Sequence, residues 1–529
     1  MKEILTSLLV LIIVANASGE GRHIQANQAN LTAAAKSITF YVSPKGSDTK
    51  GKGTKTSPWK SIRHAAGRAK GIGQTVISLA AGRYRELKPI SFRTGVSLVG
   101  AGIGKTIIES ELPSDYLLNF ASPALENGNH RISGFTLDGM DRSLKGGVFA
   151  ENRHHIELSN VKFINIRDNG AVIDTQYLKR DTTEPALIKG VKVTHCEFVD
   201  SAQDFPKFSG GNLEIGGLDG GLISDIKIRS KYGYGIKFSS NGFYRNTIVR
   251  NCDIIVREVD KLWGECIAIE LWNLGPGCKV YDIVCNTWLS FVNHKGNFAT
   301  PNSYENLHVY NVRIIDQDGV SSKEGVEIGL PGVKLEKIYI ENKGFGIAVW
   351  DGAYTNILIQ NNIIVNDTYK DNFAEGAGIF LANSTDKVFK DIIIRNNAFQ
   401  RCAKTVLLSC DSASGFDQIT VVNNLILDPK PGSSSFAYRG TNGHSTNSIK
   451  TVFFDANLIY PRAEPFNKEA EFSKTLRFGG SLFADPRIKA KGERWKDYFA
   501  PRDETSPLIK GGSRLPIDPI DYRPNIGPF

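Results

Sequence analysis

The amino-acid sequence predicts an all-β solenoid, in which short strands wind into coils that stack on one another. Three observations point to this fold. Glycine is abundant, with 52 of 529 residues, and methionine is almost absent, with 2, as is typical of turn-rich β proteins. Aliphatic and polar residues alternate in many short segments, which indicates strands with one buried face. A segment that contains asparagine among aliphatic residues recurs along the chain, mostly at spacings of roughly 27 to 60 residues.

The recurring segment explains why the strands should stack. One unit of two or three short strands cannot bury its apolar face alone, but stacked units share a continuous core. Asparagine suits a corner of such a coil, because it tolerates the left-handed backbone conformation and can hydrogen-bond to its neighbour one coil away. The pattern predicts coils from about residue 95 to 430. The corner asparagines are Asn160, Asn251, Asn311, Asn362, Asn397 and Asn424.

The N-terminus has the features of a secretory signal peptide over residues 1–17. Lys2 precedes an apolar run from Leu8 to Val14, and small residues follow near Ala17. The run is too short to span a membrane. We therefore expect an exported protein, secreted or periplasmic, with no membrane span and a polar spacer over residues 18–37.

Charge and cysteine content narrow the possible functions. The formal net charge of +9 is spread along the chain, so a nucleic-acid partner is not indicated. No cysteine pair has metal-ligand spacing, which argues against a zinc site. Cys196, Cys252 and Cys285 occupy similar places in similar segments. We expect them to be buried and stacked, with one pair close enough for a disulfide.

Three segments resemble the right-handed parallel β-helix proteins of the pectate-lyase-like superfamily. "FYVSPKGSDTKGKGTKTSPWKSIRHAA" resembles the entry to such domains, with Thr56 or Ser57 capping a short helix and Pro58 in its first turn. "TVISLAAGRYRELKPISFRTGVSLVGAGIGKTIIES" resembles the first coil. "SLFADPRIKAK" and "DETSPLIKGGSRLPIDPIDYRPNIGPF" resemble the closing segment of exported bacterial members. The resemblance implies a right-handed parallel β-helix over 38–430, then a last coil and C-terminal cap over 431–529.

The superfamily includes polysaccharide lyases, glycoside hydrolases, epimerases and non-catalytic surface proteins, so the fold alone does not settle the function. Its enzymes bind a sugar chain along a groove above one stacked sheet. The alternation of strand residues places Glu214, Lys237, Glu270 and Glu327 in one outward row. Coils lie about 4.8 Å apart, so side chains two coils apart are separated by roughly 9 to 10 Å. Inverting glycosidases hold their carboxyl groups about 6.5 to 9.5 Å apart.

We therefore expect Glu270 to be the general acid, with a raised pKa, and Glu327 or Glu214 to be the base. Several further residues are expected to bind the substrate. Trp272, Asn273, Trp350 and Asp351 follow the strands of the row, Asp174 shares their face, and His294 and Lys295 lie in a nearby loop. The tryptophan rings could stack on sugar faces.

The leading hypothesis is a monomeric enzyme that hydrolyses glycosidic bonds of a polysaccharide and needs no cofactor. A lyase that acts on a uronic-acid polymer is the alternative. In that case Lys237, His294 or Lys295 would be the base or would neutralise the substrate carboxylate, and Glu214, Glu270 and Asp174 could hold Ca²⁺. A third possibility is a non-catalytic protein that binds carbohydrate. The row could also be an exposed salt-bridge ladder, worth at most about 1 kcal/mol per pair.

Overall fold

A computed structural model shows a long stack of coils built from parallel strands. The structure describes residues 37–69, 74–141, 143–175, 186–202, 210–240, 242–258, 266–293, 303–315, 324–341, 343–366, 376–410, 414–430, 434–440, 449–463, 465, 476–489, 499–515, 518 and 524–528. Strands that pair across neighbouring coils run parallel throughout. The predicted all-β solenoid is confirmed.

Three sheets run along the stack. The largest has twenty-two strands: Ile38–Val42, Thr75–Leu79, Gly82–Arg85, Val96–Val99, Thr106–Glu109, Glu126–Asp138, Arg153–Ile164, Lys192–Thr194, Glu197–Val199, Leu222–Ser230, Ile248–Val256, Cys278–Cys285, Leu307–Ile314, Val333–Glu341, Thr355–Gln360, Ile363–Val365, Phe389–Arg395, Ala398–Gln400, Phe416–Val422, Leu425–Leu427, Val452–Tyr460 and Leu476–Leu482. A small sheet has three strands: Ile188–Lys189, Leu218–Asp219 and Tyr244–Arg245.

The third sheet has thirteen strands, and their spatial order is the same as their order in the chain. They are Ile90–Ser91, Tyr116–Asn119, Gly146–Glu151, Ala171–Asp174, Gly211–Ile215, Tyr234–Phe238, Ile267–Trp272, Trp288–Val292, Glu324–Gly329, Phe345–Val349, Ala377–Asn383, Lys404–Cys410 and Phe436–Gly440. Each strand therefore contributes one coil to this sheet, so residues in register form straight rows along the stack.

A continuous apolar core fills the interior of the coils. One inward row of the thirteen-stranded sheet consists of fully buried aliphatic residues in successive register. They are Leu213, Ile236, Ile269, Leu289, Val326, Ile347 and Ile379. This row is the one that the alternation predicts, and it sets the direction of the side chains between its members.

A left-handed residue recurs at one corner in eleven successive coils, with φ between 50° and 59°. The residues are Asn160, His195, Asp225, Asn251, Asp282, Asn311, Lys337, Asn361, Asn396, Asn423 and Ala456. The expected left-handed corner is thus confirmed for Asn160, Asn251 and Asn311. It is wrong for the later asparagines, because there the left-handed residue is the first asparagine of each "NN" pair.

The second asparagine of each pair belongs to a buried ladder, which Asn457 extends by one coil. Asn362, Asn397, Asn424 and Asn457 are fully buried. The side-chain oxygen of Asn397 accepts from the backbone N–H and the side-chain amide of Asn362, at 3.0 and 2.9 Å. Asn424 accepts the same pair of bonds from Asn397, and Asn457 accepts them from Asn424. The ladder therefore links four coils through their interior, as expected for bonds between neighbours one coil apart.

In earlier coils the same inward position holds apolar residues and two of the cysteines. Cys196 and Cys252 occupy this row, with Ile226 between them, and Cys285 lies two residues further along its strand. All seven cysteines are buried, and none of them forms a disulfide. The expected burial is confirmed, but the expected disulfide is wrong, because a full isoleucine layer separates the two thiols of the row.

The N-terminal helix spans Ile62–Arg68, and its cap differs from the expected one. Ser61 caps it by accepting the backbone N–H of His64 at 3.2 Å, rather than Thr56 or Ser57. Residues 54 to 57 form a tight turn, and Trp59 then pairs with Val42 as an extended residue. The helix therefore starts four residues after Pro58. It covers the first coil with Ile62, Ala65 and Ala66, which are buried.

The coils continue beyond residue 430, since Phe436–Gly440 and Val452–Tyr460 pair with the strands before them. The described part of the C-terminal segment lies along the side of the stack. Asn423 exchanges hydrogen bonds with Ser513, and Arg395 forms an ion pair with Asp518 at 2.6 Å. The closing segment therefore covers the corner formed by the left-handed residues.

The expected signal peptide, over residues 1–17, and the spacer up to residue 36 lie outside the described residues. Within the described part of the chain, no helix is long and apolar enough to cross a membrane.

Candidate functional site

The charged residues singled out in the sequence lie in one row of the thirteen-stranded sheet. Glu214 pairs with Lys237, and Lys237 pairs with Glu270 on the next strand. Glu270 pairs with Ser290, which in turn pairs with Glu327. The register expected from the alternation is therefore confirmed. We call Glu214, Lys237, Glu270, Ser290 and Glu327 the carboxylate row.

Glu270 and Ser290 of the carboxylate row are buried, and its other three members are partly buried. The side chains of Lys237 and Glu270 are only 14% and 7% exposed, and Lys237 Nζ lies 3.6 Å from Glu270 Oε2. The Lys237 ammonium also lies 4.7 Å from the ring centroid of Tyr234. Burying two charges is costly unless they are paired and hydrogen-bonded. The interpretation as an exposed salt-bridge ladder is therefore wrong, because these groups have lost most of their water.

Glu214 occupies the other side of Lys237 and has a second polar neighbour. The side-chain amide of Asn169 donates to Glu214 Oε2 at 3.0 Å. Burial raises the pKa of Glu214, while the charge of Lys237 and the hydrogen bond from Asn169 act in the opposite direction. Lys237 thus interacts with carboxylates on both neighbouring coils, as the sequence predicts.

Ser290 lies between Glu270 and Glu327, and it has the smallest side chain of the row. Its hydroxyl donates to Glu327 Oε2. Glu270 and Glu327 are two coils apart, which corresponds to about 9.6 Å between their strands. A small polar residue between two carboxyl groups leaves more room above it than a lysine does. Ser290 lies on the strand between the two carboxyl groups, which belong to the strands on either side of it.

Asp174 lies on the same face, in the coil before that of Glu214. It pairs with Glu151 on the preceding strand. Asp174 lies two residues beyond the position of its own strand that is in register with the carboxylate row. Its pKa is raised to about 7, mainly by burial and also by the charges of Glu214 and Glu151, against a hydrogen bond from the Thr175 N–H. Asp174 is therefore a group that can exchange a proton near neutral pH.

The residues after Glu270 differ in their exposure. Trp272 is partly exposed and points to the same side as Glu270, two residues further along the strand. Asn273 is fully buried, and its amide donates to the carbonyl oxygens of Ser240 and Gly242 at 2.8 and 3.0 Å. The side chain of Asn273 is therefore held at the corner of the coil, and its expected contact with substrate stays a prediction.

Trp350 and Asp351 are held by the protein itself. Trp350 packs edge-on against Phe380, with ring centroids 5.2 Å apart, and its indole N–H donates to Glu324. Asp351 accepts hydrogen bonds from the backbone N–H and the hydroxyl of Ser384. Asp351 therefore stabilises a turn of the next coil, and its expected contact with substrate stays a prediction. His294 and Lys295 lie outside the described residues.

Among the described residues, no three histidine, cysteine or acidic side chains are grouped so that they could hold a metal ion. The Lys237 ammonium lies between Glu214 and Glu270, two of the residues expected to hold Ca²⁺ in a lyase. The sequence reasoning did not identify Asn169. Its "DNGAV" context resembles any turn, and only the folded coil brings its amide to Glu214.

Comparisons with known proteins agree with the fold. Residues 277–449 match the family model described as a right-handed beta helix region. A tailspike protein mutant of E. coli bacteriophage HK620, in complex with a pentasaccharide, is 13% identical over 85% of this chain and 79% of that chain, with a TM-score of 0.41. The catalytic domain of a GH87 α-1,3-glucanase in complex with tetrasaccharides is 14% identical over 82% and 68%, with a TM-score of 0.38.

The pectate lyase Pel9A is 12% identical over 94% of this chain and 98% of that chain, with a TM-score of 0.29. A search of curated protein sequences finds no match. These identities and TM-scores carry no argument about the reaction. The parallel register of the strands shows a parallel β-helix fold, and about a third of the chain, residues 277–449, matches the model of a right-handed beta helix region.

Proposed function

We propose that the protein is an exported glycoside hydrolase that cleaves a polysaccharide at the carboxylate row. The observation that carries this proposal is the register of Glu214, Lys237, Glu270, Ser290 and Glu327 on five consecutive strands. Five strands extend over about 19 Å along the stack, a length that suits several sugars of a linear chain. Buried carboxyl groups in such a row are candidates for acid and base catalysis.

Glu270 and Glu327 are the reacting pair in this proposal. Their separation of two coils corresponds to the spacing of inverting glycosidases, which place a water between sugar and base. The ion pair with Lys237 stabilises the ionised form of Glu270, so Glu270 is the base. Glu327, on the far side of Ser290 from Lys237, is then the acid. These roles are the reverse of those expected from the sequence, and the neighbouring lysine is the reason.

The surrounding residues have supporting roles. Glu214 and Glu270 lie on the two strands that flank Lys237, so two carboxylates hold its ammonium in the row. Trp272, on the same face as Glu270, presents a ring that can stack on a sugar. The positive charge beside the base comes from Lys237, and the proposed hydrolysis uses no metal ion.

A lyase acting on a uronic-acid polymer is the second candidate, and Lys237 is the observation that favours it. A lysine in the row could neutralise the carboxylate of a bound uronic acid. The two adjacent glutamates hold this lysine, however, and also repel a substrate carboxylate. Ca²⁺ would have to displace the ammonium to reach them, so the hydrolase remains the better supported proposal.

A panel of neutral and acidic polysaccharides tests the reaction. New reducing ends and the absorbance of unsaturated products are followed together. Reducing ends without absorbance are expected for the hydrolase, while absorbance that rises with them would establish the lyase instead. Binding to a polysaccharide without any product would favour a non-catalytic carbohydrate-binding protein.

The roles of the two carboxyl groups are tested with aryl glycosides of the sugar that the panel identifies. A good leaving group needs no protonation, so Glu327→Gln should retain activity on an activated aryl glycoside and lose it on the polysaccharide. Glu270→Gln should lose activity on both substrates. The opposite pattern would return the acid role to Glu270.

A further inference from the structure

A chain of hydrogen bonds reaches the carboxylate row from three coils away. The hydroxyl of Tyr116 bonds to the side-chain oxygen of Asn169 at 2.7 Å. The amide nitrogen of Asn169 donates to the carbonyl oxygen of Gly211 at 2.8 Å and to Glu214 Oε2 at 3.0 Å. Asn169 is only 1% exposed, so these bonds form away from water.

The orientation of the Asn169 amide follows from its partners. The Gly211 carbonyl can only accept a hydrogen bond, so the amide nitrogen must face it. The side-chain oxygen then faces Tyr116, whose hydroxyl donates. Both amide hydrogens are used, one by Gly211 and one by Glu214. Only an asparagine-sized amide supplies an acceptor at one end and two donors at the other within this space.

We propose that Asn169 is a positioning residue of the carboxylate row, which fixes the Glu214 carboxylate against Lys237 and through Lys237 holds the base Glu270. The inference rests on the proposed function for its kinetic consequences. Its structural core is the oriented amide, which ties Glu214 to the strand Tyr116–Asn119 at the N-terminal end of the row. Asn169 touches no substrate in this account, and it acts only through Glu214.

The most informative variant is Asn169→Asp, which keeps the shape and the acceptor for Tyr116. It replaces the donor to Glu214 by a carboxylate oxygen, so two acidic groups face each other in a buried site. The hydrogen bond from Asn169 lowers the pKa of Glu214 in the native protein. Its replacement by a like charge should move the titration of Glu214 to higher pH by at least about one unit.

In kinetics, we expect Asn169→Asp to lower kcat about 10- to 100-fold, with a smaller change in KM, because the base is displaced rather than removed. The acidic limb of the pH–rate profile should move to higher pH. Tyr116→Phe removes only the hydroxyl that orients the amide, and we expect it to shift the same limb in the same direction by less.

Asn383→Asp is the matched control. Asn383 is also 1% exposed and donates to two carbonyl oxygens, those of Lys387 and Gly415, at the end of a strand of the same sheet. It bonds to no carboxylate in those contacts. We expect this variant to lose stability without any shift in the pH–rate profile.

A second readout does not depend on the proposed reaction. NMR of protein labelled with ¹³C at the glutamate carboxyl groups follows Glu214 directly, assigned by the signal that Glu214→Gln removes. A shift of this titration in Asn169→Asp and its absence in Asn383→Asp would support the proposal. An unchanged Glu214 titration in Asn169→Asp would overturn it, even if the enzyme were inactive on every polysaccharide tested. If the wild-type protein were inactive but the Glu214 titration were shifted in Asn169→Asp, the hydrolase proposal would be refuted and the positioning role of Asn169 would stand.

Discussion

Asn397→Leu should destabilise the protein by about 3 kcal/mol, because it removes the centre of the asparagine ladder. The side-chain oxygen of Asn397 accepts two hydrogen bonds from Asn362. Its amide donates to the Ile359 carbonyl at 3.1 Å and to Asn424 Oδ1 at 3.0 Å. Leucine has nearly the same volume and can make none of these four bonds.

The magnitude follows from the groups that lose their partner. The buried backbone N–H of Asn362 loses its acceptor, which costs roughly 1 to 3 kcal/mol. The other three hydrogen bonds contribute roughly 0.5 to 1.5 kcal/mol each, and the burial of the leucine side chain offsets roughly 1.5 to 3 kcal/mol. The sum is a loss of about 3 kcal/mol, enough to move the unfolding midpoint clearly.

Ile338→Leu is the matched control, since Ile338 occupies the same inward row one coil before Asn362 and is fully buried. A swap of one aliphatic residue for another of equal volume should cost less than about 1.5 kcal/mol. The two variants and the wild-type protein would be compared by urea denaturation followed by circular dichroism. If Asn397→Leu cost no more than Ile338→Leu, the ladder would not be a stabilising feature and the reasoning would be refuted.

Three further predictions follow from the buried charges and thiols. Lys237→Met should lower the free energy of unfolding at pH 8 by about 3 kcal/mol, because it removes the ammonium that lies 3.6 Å from the buried Glu270 carboxylate. A loss below about 1 kcal/mol in denaturation curves would contradict the stabilising ion pair. The pKa of Asp174 rises on folding from 3.8 to about 7, so the stability that this group contributes is lost as pH rises between those values, by about 4 kcal/mol. Asp174→Asn should flatten this part of the pH–stability curve. An equally steep curve in the variant would argue against the raised pKa of Asp174. The seven buried cysteines should react with a thiol reagent only after unfolding. Burial raises the pKa of four of them, Cys196, Cys252, Cys278 and Cys285, to about 12. Rapid labelling of the native protein would contradict the burial of the cysteines.

The sequence was sufficient to predict the coils and the register of the carboxylate row. Alternation with a period of two leaves only one direction for Glu270 once Ile269 and Leu271 point inward. A parallel stack then aligns Glu214, Lys237 and Glu327 with it, because each coil adds one strand to the same sheet. Fold and register are therefore consequences of local pattern.

Burial and hydrogen-bond partners could not be predicted in the same way. Glu270 and Lys237 point outward and are nevertheless buried, which depends on what covers the sheet rather than on alternation. Asn273 and Asp351 follow strands of the row, as a substrate-binding residue would, but backbone groups of neighbouring turns satisfy them. Such contacts join residues about 30 positions apart, so no local pattern records them.

The two asparagines of each "NN" pair show the limit of a pattern more clearly. Asn396 and Asn397 are neighbours of the same residue type, yet Asn396 is left-handed at the corner and donates to the carbonyl oxygen of Asn525, whereas Asn397 points inward into the ladder. Their roles depend on which of them takes the left-handed conformation. A shift of one residue reverses inward and outward directions, and only the complete register of the coils decides it.

The central claim is that Glu270 and Glu327 act together above Ser290. The most direct measurement is the rate of reducing-end release by Glu270→Gln, Glu327→Gln and Glu157→Gln on the polysaccharide that the wild-type protein cleaves. Glu157 is an exposed carboxylate of the twenty-two-stranded sheet and is the matched control. We expect the first two variants to lose about 10³-fold in rate, with unchanged circular dichroism, and Glu157→Gln to stay within about twofold of the wild-type rate. If Glu270→Gln and Glu327→Gln released reducing ends as fast as Glu157→Gln, the claim that Glu270 and Glu327 act together would be contradicted.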